Sequence, residues 1–244
     1  NISFSSFKKK HKLKNDQLIY RVKNCKEYKK VENLFNFLLV EKNSFIFESV
    51  EKGTTRGRYT IVGLRPDKMW DVTKDVITED FEGKKKVIKQ KPLFFLNNLI
   101  NNFNFKIPYG VPKMAAMLVG YFSYDIIRYV EKISDKCVDD LKIPDVRLSR
   151  PKNLIIYDNL KKKIFFIENI YSETKIKNYF EKYQSIKKKF DTFEDYSNIK
   201  LPVKFNHQKN KNKIKSNISK NQFKNYVKKA KKYISRGDIF QVVL

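Results

Sequence analysis

Gln241 is the residue whose setting says most about chemistry. It lies inside Ile239-Phe240-Gln241-Val242-Val243-Leu244, an apolar run that predicts a strand buried on both faces. A buried amide costs free energy unless it is hydrogen-bonded. Gln241 is therefore either a core glutamine satisfied by neighbouring backbone or a polar group projecting into a pocket. Glu48 and Ser49 form a second pair, near the end of a strand predicted over 44–50. By residue type alone they read as ordinary strand-end residues, since Ser and Glu are common at the surface. Arg58 follows the polar turn 53–57 and adds a cation. Tyr121, Tyr124 and Asp125 cluster as well, and their types favour a helix cap and core rings with polar tips. His11 and His207 lie in basic, polar stretches that offer no catalytic partner. Cys25 and Cys137 match no metal spacing and make no disulfide framework, which fits a reduced, cytoplasmic setting.

The elements that must carry these residues follow from periodicity. Residues 1–15 are basic and read as loose chain. A helix is expected over 27–39, with Val31, Leu34, Phe37 and Leu38 on one face. Strands are expected over 44–50 and 58–64, the second closed by Arg65-Pro66. Further strands follow within 68–81 and 85–89 around a Glu82-Gly83 turn. Pro92 opens a helix reaching Phe103. The apolar run 115–122 predicts a strand in which Gly120 marks a close backbone approach. A short helix is expected from Tyr124 to about Glu131. A hairpin is expected from 154–157 and 164–170, and an amphipathic helix over 173–190. Ser219 and Gln222 make a capping-box pattern for a helix ending before Gly237. Strands and helices without regular alternation predict an α+β fold. We place a sheet-rich region at 1–194, a β-sandwich with outer helices. A Lys- and Asn-rich linker follows at 195–217, and a second domain begins at 218–244.

Composition bounds the function. The chain has 244 residues, 41% of them hydrophobic, enough to bury a core. The formal net charge is +27. Lysine runs are spread along the whole chain, and Lys, Asn, Ile and Phe are jointly abundant. That pattern reads as compositional bias rather than one basic face. It argues against a nucleic-acid partner, and no zinc spacing or Gly-rich RNA motif is present. No apolar stretch reaches the length of a membrane helix. The first residue is Asn1 and the last stretch is apolar, which predicts a piece of a longer chain.

Four segments, in order, resemble the chorismate-using enzymes and in wording most nearly their anthranilate synthase large subunits. They are Phe47-Glu-Ser-Val50 with Gly57-Arg-Tyr-Thr-Ile-Val-Gly63, Leu118-Val-Gly-Tyr-Phe-Ser-Tyr-Asp125, Ile143-Pro-Asp145, and Lys232 to Leu244. The resemblance implies a large subunit that turns chorismate and ammonia into anthranilate and pyruvate in tryptophan biosynthesis. It implies Mg2+, held by residues beyond 244, and a glutamine amidotransferase subunit that supplies ammonia. It also implies feedback inhibition by L-tryptophan, bound at Glu48, Ser49 and Arg58. In the family's water-adding members the position of Gln241 carries Lys, so a neutral amide here implies amination. The aminodeoxychorismate synthase large subunit is the alternative within the same family.

Overall fold

The computed structural model describes residues 3–48, 57–103, 105–136, 138–198 and 216–244. Ser49, Cys137, His207 and most of the expected linker 195–217 lie outside the described residues. The chain divides into two compact units, Asn1–Pro202 and Val203–Leu244.

The first unit is built on an eight-stranded antiparallel sheet. Its strands are β1 (Gln17–Asn24), β2 (Phe45–Phe47), β3 (Tyr59–Thr73), β4 (Val76–Phe81), β5 (Lys84–Ile88), β6 (Val119–Phe122), β7 (Val146–Asp158) and β8 (Lys163–Ile170). The order is β1-β8-β7-β3-β4-β5, with β2 added to β3 and β6 to β7. The expected α+β class is thus realised as one continuous sheet, and the two long strands β3 and β7 run through both of its halves. Tyr59–Leu64 face Asn153–Asp158, and Lys68–Val72 face Val146–Arg150.

Between those halves the register slips at Asp67, a bulge. The strand expected to stop at Arg65-Pro66 therefore continues. Proline lacks a backbone donor and is tolerated within a sheet at a bulge, and Pro66 sits directly before one, opposite Pro151. Gly120, on β6, allows the close approach its position predicts. A Cβ there would stand 1.8 Å from the Arg147 carbonyl oxygen.

Helices α1 (Phe4–Lys12), α2 (Tyr28–Leu38) and α4 (Tyr179–Asn198) cover one face of the first half. Val31, Leu34 and Leu38 from α2, with Ile186, Phe190 and Phe193 from α4, pack on Val62, Leu64, Ile155, Tyr157 and Phe166. Residues 4–12, expected to be loose, form α1 because Phe4, Phe7 and His11 recur on one face among the lysines. Phe7 stacks on Tyr183 and His11 bonds Tyr179. The opposite face is covered by Ile107, Val111, Met114 and Ala115. Over the second half, α3 (Pro92–Asn101) lays Phe95 and Leu96 on Trp70, Val72 and Ile77. Residues 124–129 form a 3-10 turn. Its Asp125 pairs with Arg128 at 2.8 Å rather than capping a helix. Tyr124 is exposed rather than a core ring.

The second unit holds α5 (Lys220–Ser235), which has the expected capping box. Gly237 takes φ +77. The amides of Gly237 and Asp238 bond Ile234 and Tyr233 carbonyls, closing a Schellman end. The strand expected at 239–244 is not formed; those residues are irregular and mostly exposed. A strand needs a partner for its ladder, and no described residue pairs with this segment.

Candidate regulatory site

The end of the β2–β3 pairing gathers the first candidate residues. Phe47 pairs with Ile61, so the chain leaves the sheet with Glu48 exposed at its rim. Tyr28, the first residue of α2, donates its phenol to the Glu48 carboxylate. Its ring lies 5.5 Å from that of Tyr157, whose own hydroxyl donates to the Cys25 carbonyl at 3.2 Å. Burial, reinforced by the bond to Glu48, pushes the Tyr28 phenol up to about 12, so it is a donor at neutral pH. The result is a carboxylate at the protein surface held by a half-buried partner that packs against the core.

Arg58 stands at the start of β3 and is committed elsewhere. Its Nε and Nη2 donate to Asp158 at 3.1 and 2.8 Å, and its guanidinium lies 4.8 Å from the Tyr59 ring. Asp158 is buried and also accepts the amides of Leu160 and Lys161, each at 3.0 Å. Burial works to raise the Asp158 carboxyl, but Arg58 and these turn amides outweigh it and hold it below the usual range. The Arg58–Asp158 fork therefore closes the β7–β8 turn; a family-derived role in ligand binding competes with that structural one. Ser49 lies outside the described residues. Gln241 belongs to the second unit, where it is exposed on irregular chain. The structure thus places Glu48 and Arg58 in the first unit and Gln241 in the second. Tyr28 was missed by sequence reasoning, because no local pattern ties the first turn of one helix to the end of a strand.

Two concavities lie away from this rim. One, of about 500 Å³, is lined by Trp70, Phe95, Leu99 and a set of ion pairs. In that set Lys68 meets Glu173 at 2.8 Å, Lys86 meets Glu79 at 2.9 Å, and Trp70 Nε1 donates to Glu79 at 2.8 Å. Arg150 forks onto Asp67 at 2.9 and 2.6 Å and reaches Glu173 at 2.5 Å. It also stacks 3.7 Å from the Tyr171 ring. These charges neutralise one another, so the cleft is first a structural device. The other, of about 620 Å³, is rimmed by Asp75, Asp125, Asp135, Asp139, Asp140 and Asp145. Despite that acidity, no group of three or more His, Cys, Asp or Glu among the described residues is arranged to hold a metal ion. Nor is any described helix long and apolar enough to cross a membrane.

Comparison with known proteins defines the class. The family profile of chorismate binding enzymes matches residues 42–244, and the chain belongs to that family. It is 30% identical over 205 residues to anthranilate synthase component 1 of Acetivibrio thermocellus, covering 82% of this chain and 42% of that protein. It is 28% identical over 247 residues to the Cereibacter sphaeroides component 1, covering 99% of this chain and 49% of that protein. The crystal structure of anthranilate synthase component I from Streptococcus pneumoniae superposes with a TM-score of 0.54 at 20% identity. That match covers 84% of this chain and 43% of the other. The chain spans less than half to about half the length of these relatives.

Proposed function

We propose that the full-length protein carrying this chain is the large subunit of an anthranilate synthase. It converts chorismate and ammonia to anthranilate and pyruvate, a lyase reaction in tryptophan biosynthesis, and its ammonia comes from a glutamine amidotransferase subunit. The observation that carries this is the match to component 1 proteins over 82% and 99% of the chain, set within a family match over 42–244. Magnesium would supply Lewis-acid stabilisation and a template for the substrate carboxylate. Its ligands are assigned by the resemblance to residues beyond 244.

Within this stretch the proposed task is control. The Glu48 carboxylate, held by Tyr28, is suited to receive the ammonium of L-tryptophan, and Ser49 adds a hydroxyl. Inhibition then follows from a difference in tryptophan affinity between two states of the enzyme. Gln241 is proposed to face chorismate, as a neutral amide that leaves amination rather than hydration as the outcome. The test is direct. The full-length protein with chorismate, Mg2+ and ammonium should produce anthranilate, read by its fluorescence. With glutamine it should do so when the amidotransferase subunit is added. Ser49→Phe should raise the tryptophan concentration needed for inhibition at least about tenfold, a coupling loss of ordinary size. Aminodeoxychorismate as the product would replace this proposal with the folate-pathway reading. Unchanged inhibition in Ser49→Phe would remove the regulatory one.

A further inference from the structure

We infer that Tyr28 is a positioning residue of the regulatory site: its phenol, presented by the first turn of α2, holds the Glu48 carboxylate in the orientation that receives an amino-acid ammonium group. The inference rests on the proposal that Glu48 and Ser49 bind tryptophan.

Glu48 is past the end of the β2 pairing and solvent-exposed, so nothing in the sheet fixes its side-chain rotamers. Ordering such a side chain on binding costs free energy, and a ligand bound by a pre-set carboxylate avoids that cost. Tyr28 supplies the ordering. Its hydroxyl donates to one carboxylate oxygen, Oε1, leaving Oε2 and further lone pairs for an incoming ammonium.

Tyr28 can act this way because it is fixed on two sides. Its ring packs on Tyr157, which is fully buried. Its helix is anchored by Val31, Leu34 and Leu38, each no more than 1% exposed. A phenol pushed up to about 12 stays protonated across the physiological range, so it donates and never competes as an anion. The arrangement also ties the ligand-binding rim to α2, the helix that packs on α4 and the sheet.

The experiment is a double-mutant cycle on the full-length protein, with tryptophan binding read by calorimetry. Tyr28→Phe keeps the ring and removes only the hydroxyl. It should weaken tryptophan binding about fivefold, the effect of one hydrogen bond to a partly exposed charged group. Glu48→Gln should weaken it more. In the Glu48→Gln background, Tyr28→Phe should add less than about twofold, because the group it positions is gone. A merely structural role for Tyr28 would give the same loss in both backgrounds, and that additivity would overturn the inference. So would unchanged or tighter binding in Tyr28→Phe while Glu48→Gln and Ser49→Phe still lose affinity; the regulatory proposal would then survive without Tyr28. If Glu48→Gln and Ser49→Phe both bind tryptophan normally, the regulatory proposal itself fails and takes the inference with it.

Discussion

The two halves of the β3–β7 ribbon share the same strands and the same sheet, yet they place their charges differently. In the first half, Ile61 and Val62 oppose Ile156 and Ile155, and all are at most 8% exposed. Apolar burial on both faces dominates this stretch, and its buried charges are set apart, Asp158 with Arg58 at the turn and Glu168 of β8 with Lys182 and Lys189 of α4. Beyond the Asp67 bulge, the second half carries Asp67, Lys68, Asp71, Arg147 and Arg150 on the same two strands. There the paired charges lie on the ribbon itself, beside an apolar cluster of Trp70, Val72, Val146 and Leu148. The comparison teaches that one ribbon can be continuous in backbone and discontinuous in energetics, with the bulge as the border.

The largest expected effect tests whether buried charge holds the second half. Arg150 and Asp67 side chains are 10% and 3% exposed. Arg150→Met should cost about 3–5 kcal/mol in urea unfolding, because Asp67 is left buried and unpaired. Replacing both partners, with Asp67→Leu added, should recover most of that loss. A cost below about 1 kcal/mol for Arg150→Met would mean that the two halves do not differ in this way.

An intermediate effect separates the halves by pH. Burial works to raise the Glu79 carboxyl, but Lys86, Trp70 and Lys68 outweigh it and lower it from its ordinary 4.5. A carboxyl whose folded value is depressed stabilises the fold fully above its unfolded value and loses that contribution as pH falls through the folded value. The stability difference between the native chain and Glu79→Gln should therefore be constant near neutrality and shrink as pH drops below 4.5. A Leu154→Ala change in the first half should show no such dependence. Equal pH slopes for both variants would erase the distinction.

The smallest effect asks whether pairing alone matters. Arg147 forks onto Asp71 at 2.7 Å for both bonds, but the side chains are 46% and 33% exposed. Arg147→Ala should cost less than about 1 kcal/mol by thermal or urea unfolding. A cost matching that of Arg150→Met would show that geometry, not burial, sets the strength.

This border also explains what could be read in the sequence. Strands 44–50 and 58–64 announce themselves by their apolar residues, α2 and α3 by an apolar stripe, and the turn at Glu82-Gly83 by its glycine. Strand was expected within 68–81, but not that the strand from Arg58 runs on into it, since Arg65-Pro66 reads as a strand end until the bulge that accommodates the proline is known. β1 was missed because Gln17–Asn24 is half polar, and its outer residues are exposed. The strand expected at 239–244 failed for the opposite reason: its local signal is strong, and no partner strand is among the described residues. At the candidate site, Glu48 and Arg58 were singled out through family wording rather than through chemistry. The fork of Arg58 on Asp158 and the bond from Tyr28 to Glu48 span 100 and 20 residues of chain, beyond the reach of local spacing.

The pairing of β1 with β8 carries a consequence for the order of events on the ribosome. Gln17 meets Ile170 and Asn24 meets Lys163, so an early strand waits for one near the far end of the unit. At about 5–20 residues per second, that wait lasts roughly 7–30 s. Neighbouring strands such as β4 and β5 can zip as soon as they emerge, while β1 still carries unmatched amides beside Leu18, Ile19 and Val22. Such non-local closure is slow and leaves a sticky edge open to other chains in the meantime. Of the described strands, the earliest in the sequence is thus among the last to be paired.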